Sequence, residues 1–130
     1  MATDLPLTPL NYWVMLNVKE ESGLYEIPDD LLRVLPDATA SERLAATQNN
    51  LTDLVSCGMI ELYMADWLRK QLQRVSPDEV GSLLAAESTW RLPSADQSNV
   101  VFAAFTDAGL AAWLTTPWRQ IPNLPSLFDN

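Results

Sequence analysis

The apolar positions change period several times along the chain, and each change marks an element. Between residues 9 and 21, Leu10, Trp13, Val14, Leu16 and Val18 recur at helical steps, with Tyr12 and Met15 widening the stripe. Thr8 can cap this helix, with Pro9 at its first position, where a missing N–H costs nothing. Lys19, Glu20, Glu21 and Ser22 are its polar end, and Gly23 is placed to close it. Leu24–Ile27 reads as a brief extended piece. A second helix is expected over Asp29–Leu35, with acids in its first turn, an apolar face of Leu31, Leu32, Val34 and Leu35, and Pro36 as its stop.

A third helix follows, capped by Thr39 or Ser41 and running to about Cys57, with Leu44, Ala45, Leu51, Leu54 and Val55 on its apolar face. Gly58 takes the position after it. Met59–Ala65 reads as a strand that places Ile60, Leu62 and Met64 on one face. Ser76-Pro77-Asp78-Glu79 is a helix start, leading to about Glu87 and burying Val80, Leu83 and Leu84. Trp90-Arg91-Leu92 is expected to be a strand ended by Pro93. Residues 94–99 form a polar hairpin loop and Val100–Phe105 the clearest strand. Thr106 caps a last helix, which Pro117 ends. The rest of the chain is a tail whose Trp118, Ile121, Leu124, Leu127 and Phe128 suit packing more than solvent.

This order of elements implies an α+β fold, mainly helical, in one domain spanning residues 1–130. Two strings resemble parts of a winged helix-turn-helix domain. Leu51–Tyr63 (LTDLVSCGMIELY) is similar to the end of a recognition helix entering the first wing strand. Phe105–Trp113 (FTDAGLAAW) is similar to the threonine-capped helix after the second wing strand. The resemblance implies a three-helix core with a small antiparallel wing sheet over about 9–114, a helical insert in the wing, and an extended tail over 115–130. Two features depart from the pattern: the long segment 66–99 between the wing strands, and a third helix with one basic residue, Arg43, beside Glu42 and Asp53.

Charge shifts the reading away from DNA. The chain carries 17 acids against 8 basic residues, a net charge of −9, which repels phosphate backbones and anionic lipids and attracts basic partners. There is no histidine and one cysteine, Cys57. A Ser–His–Asp or Cys–His site, a soft-ligand metal site and an intramolecular disulfide are therefore unexpected. The glycines are scattered at 23, 58, 81 and 109, so no phosphate-cradling loop is present. Carboxylate pairs such as Asp29 with Asp37, or Glu61 with Asp66, could serve acid–base work, but with so many acids close pairs arise without a catalytic reason. Neither enzyme activity nor a cofactor is expected. The first residues lack the cationic and apolar regions of a signal peptide, and no membrane-length apolar run occurs, so a cytoplasmic location is expected.

By size, charge and lack of catalytic motifs, the chain is similar to the small acidic bacterial immunity proteins of toxin–immunity systems, including contact-dependent growth inhibition. That likeness implies a protein–protein interaction in which the chain blocks the active site of a basic toxin domain, such as a nuclease. Candidate contacts are Asp29, Asp30, Asp37, Glu61, Asp66 and Trp67, with Trp90 and Trp118 as further aromatic anchors. The alternative is a winged-helix transcriptional regulator contacting DNA through the basic wing segment Arg69, Lys70 and Arg74. Homodimerisation through the first helix or the tail is a third possibility.

Overall fold

The computed structural model describes residues 8–66, 70–91 and 99–118. Its elements in order are α1 (Pro9–Lys19), a 3₁₀ turn (Leu24–Glu26), α2 (Ile27–Asp30), a second 3₁₀ turn (Leu31–Arg33), α3 (Ala40–Ser56), β1 (Ile60–Asp66), β2 (Gln71–Arg74), α4 (Pro77–Ala85), a third 3₁₀ turn (Glu87–Trp90), β3 (Asn99–Phe105) and α5 (Asp107–Thr115). The fold is α+β, mainly helical, with a three-stranded antiparallel sheet ordered β2-β1-β3.

The helix starts follow the sequence signals. Thr8, Thr39, Ser76 and Thr106 each cap a helix, their hydroxyl oxygens accepting from Asn11, Glu42, Asp78 and Gly109 N–H groups. Gly58, at φ 75°, closes α3: its N–H donates to Val55 and that of Met59 to Leu54. The end of α1 differs from expectation. Glu21, not Gly23, takes the left-handed position (φ 58°), with Glu21 N–H donating to Val18 and Ser22 N–H to Asn17. Gly23 instead pairs with Phe102 as an isolated antiparallel bridge.

Three local expectations are corrected and one strand is added. Leu24–Ile27 is not extended: the Glu26 carboxylate accepts the Gly23 N–H at 2.8 Å and closes a 3₁₀ turn. The helix expected over Asp29–Leu35 is a four-residue α-turn continued by a 3₁₀ turn. Gln71–Arg74 forms a strand that the sequence reading left unassigned. Trp90 ends a 3₁₀ turn and is not in a strand, because its indole N–H is drawn back to the Leu84 carbonyl at 2.8 Å. The expected loop at 94–98 and the tail beyond 118 lie outside the described residues, as does Leu92.

One apolar core joins the helices to the inner sheet face. Ile60, Leu62 and Met64 stand opposite Phe105, Ala103 and Val101, and the first two pack on Val14, Leu51, Leu54, Val80 and Leu84. At one end Tyr12, Trp113 and Trp118 form an aromatic cluster with centroid separations of 5.2–5.6 Å. The outer sheet face carries a Tyr63–Phe102 stack at 5.8 Å.

The threonine-capped string docks α5 onto the turn after α3. Thr106 donates its hydroxyl to the Gly58 carbonyl at 2.5 Å and its N–H to the Met59 carbonyl at 3.0 Å. A Cβ on Gly109 would lie 1.8 Å from that Met59 oxygen, so only glycine allows this approach. Among the described residues no helix is long and apolar enough to cross a membrane.

Candidate functional site

Five of the seventeen acids fall between residues 20 and 30, and the fold turns four of them toward one open cleft. The left-handed Glu21 reverses the chain after α1, and the Glu26–Gly23 hydrogen bond holds the next turn against that end. Pro28 then starts the short helix that presents Asp29 and Asp30. The cleft has a volume of about 840 Å³, with Glu20, Glu26, Asp29 and Asp30 on its walls and Arg33 as its one cation among the described residues. Tyr25 and Trp90 supply aromatic surface.

The carboxylates have unequal freedom. Asp30 is held on both oxygens: the Asn17 side-chain amide donates to one at 2.8 Å and the Arg33 guanidinium to the other at 3.3 Å. Asn17 is itself buried and also donates to the Trp13 carbonyl at 2.8 Å, so Asp30 is anchored to α1. Arg33 sits 5.0 Å above the Trp13 ring, which commits the one cation to its own protein. The side chains of Glu20 and Asp29 are exposed and make no hydrogen bond or ion pair among the described residues. The field reaches inward: burial first, and the charge of Glu20 second, push the Tyr12 phenol above its ordinary pKa.

Asp29, Asp30 and Trp90 are therefore brought together, whereas Asp37, Glu61, Asp66 and Trp118 are placed elsewhere. Asp37 lies in the turn after the second 3₁₀ segment and does not line the cleft. Glu61 and Asp66 are on β1. Glu61 is paired with Arg74 at 2.7 Å and accepts the Tyr63 hydroxyl at 3.4 Å; Asp66 stands opposite Gln71. Trp67 and Arg69 lie outside the described residues. Trp118 is buried in the aromatic cluster and is not available as an anchor, whereas Trp90 lines the cleft. Glu20, Glu26 and Tyr25 were missed, because a helix end followed by an expected strand scatters them. The density of acids over 20–30 was the signal that could have found them.

Two further arginines are engaged within the fold. Arg43, the one cation of α3, donates to the Pro28 carbonyl at 3.1 Å and the Ala38 carbonyl at 2.8 Å, tying α3 to the α2 turn. Arg74 is ion-paired, which leaves Lys70 (φ 54°) as the exposed cation of the β1–β2 connection among the described residues. The cleft acids do not converge on a point: among the described residues no three His, Cys, Asp or Glu side chains are grouped to hold a metal ion. What the cleft can do is attract an organic cation and flank it with aromatic rings. No protein-family model, curated protein or solved structure matches this chain.

Proposed function

We propose that the chain is an acidic protein-binding module, an immunity protein that neutralises a basic toxin domain, of nuclease type, by covering its cationic active site without catalysis. The observation that carries this reading is the cleft beside α1 and α2, where four carboxylates face one arginine that is already engaged. Uncompensated negative charge at an open, aromatic-flanked surface favours fast, salt-sensitive capture of a cationic partner. The finer fold reading belongs with it: a winged-helix-like arrangement, supported by the bridge from Gly23, in the segment joining α1 to α2, to Phe102 of β3 and by the α3–β1 and β3–α5 junctions. In that arrangement α3 stands in the recognition position, yet its arginine is spent internally. This favours a protein partner over DNA contact through Lys70 and Arg74.

The test is capture of partners by the tagged protein from its native lysate under a salt series. One basic protein released progressively by salt, and lost from a Glu20→Lys/Asp29→Lys variant, is the expected result. Recovery of DNA without a stoichiometric protein partner would overturn the reading and restore the regulator.

A further inference from the structure

A second surface, sharing no residue with the acidic cleft, lies between β2 and α4. β2 is the edge of the sheet among the described residues, and all four of its residues are exposed. Leu72, 62% exposed, is an unusual residue to leave in solvent on an open edge. The hydrogen-bond phase of the strand is fixed by Val75, whose N–H donates to the Leu62 carbonyl at 2.8 Å. In an antiparallel ladder bonded residues alternate. Gln71, Gln73 and Val75 therefore turn their main-chain groups toward β1, while Leu72 and Arg74 turn theirs to the open side.

That open side borders a groove of about 540 Å³. Met64, Val75 and Leu83 give it an apolar lining, and Asp78 and Glu79, in the first turn of α4, give it an acidic rim. Arg74 does not neutralise the rim, since its guanidinium is bound to Glu61 at 2.7 Å. An edge whose outward donors and acceptors meet no strand among the described residues, an apolar trough and an acidic rim fit one kind of occupant.

We infer that the groove takes an extended polypeptide segment of a partner, which adds to β2 as a further strand. Of its side chains on the groove face, the central one is apolar and lies over the trough and those flanking it are basic and meet the rim, while the alternate side chains face the outer sheet surface. This surface does not depend on the function assigned to the acidic cleft.

The test uses the full ¹⁵N-labelled chain and two synthetic peptides, acetyl-Lys-Thr-Val-Thr-Lys-amide and its Glu-for-Lys counterpart. The lysine peptide should move the amide resonances of Leu72, Arg74 and the first turn of α4, and should bind about ten-fold tighter than the glutamate peptide. Leu72→Pro removes an outward N–H and leaves the β1 ladder intact, so it should abolish binding. Ser82→Lys, on the exposed face of α4, should do the same even if the proline variant proves unfolded, while Asp29→Lys should bind as wild type. Four results would overturn the inference: no shifts at millimolar peptide, equal affinity for both peptides, shifts confined to the residue 20–33 cleft, or self-association through β2 that the peptide does not reverse.

Discussion

The two flanks of α1 are built on opposite principles. Toward α5, Tyr12 stacks on Trp113 at 5.6 Å and meets Trp118 edge-on at 5.3 Å, and Gly109 brings α5 into backbone contact with Met59. Tyr12 and Trp118 are buried there, with Trp113 packed against them. Toward α2, the same helix ends in Glu20 and faces Glu26, Asp29 and Asp30 across open space. The first flank spends its residues on packing. The second keeps charge that folding does not need, since like charges at that spacing repel. Substitutions on the α5 flank should therefore cost stability, and substitutions on the α2 flank should cost binding.

The largest effect is expected at Gly109. Gly109→Ala pushes a methyl against the Met59 carbonyl and must shift α5, at a cost of about 3 kcal/mol or more in urea unfolding. Wild-type stability would mean that α5 is not docked there. Arg43→Met comes next. It leaves the Pro28 and Ala38 carbonyls without their donor and should cost about 2 kcal/mol, because this link holds α2 in place; a loss below about 0.5 kcal/mol would remove it from the framework.

Glu20→Lys/Asp29→Lys sharpens the contrast from the other side. Both residues are exposed, so the unfolding free energy should stay within about 0.5 kcal/mol of wild type, while affinity for a basic partner falls about ten-fold, or about 1.4 kcal/mol. A variant that unfolds instead would erase the distinction between the flanks.

The smallest effect concerns the cap of α3. Hydrogen bonds from the backbone and side chain of Thr39 hold the Glu42 carboxyl below its ordinary pKa. A lowered folded-state pKa gives stability that is present above the ordinary glutamate range and lost as pH falls through the folded value. The stability difference between wild type and Glu42→Gln should accordingly shrink as unfolding is measured at successively lower pH through that range; a constant difference would deny the linkage. Thr39→Ala should cost about 1 kcal/mol at neutral pH.

How much of this could be read from residues alone depended on how local the cause was. Caps at Thr8, Thr39, Ser76 and Thr106, the Gly58 stop and strands β1 and β3 were legible because each is set by a few adjacent side chains or by one clear period. β2 was not: Gln71–Arg74 is exposed on both faces and shows no alternation, and it is a strand only because β1 pairs with it. The turn at 24–26 was misread because one Glu26–Gly23 hydrogen bond outweighs the β preference of Leu, Tyr and Ile. At the site, Asp29 and Asp30 were legible as a charged pair. Their union with Glu20, Tyr25 and Trp90 was not, since Trp90 arrives from 60 residues away through its bond to Leu84.

The salt dependence of affinity for the recovered partner, measured side by side for wild type and Glu20→Lys/Asp29→Lys, tests the role of the acidic cleft most directly. Wild-type affinity should fall steeply with added salt, and the variant should start weaker and fall less steeply, the two converging at high salt. Parallel curves of equal affinity would contradict it and place the partner on another face.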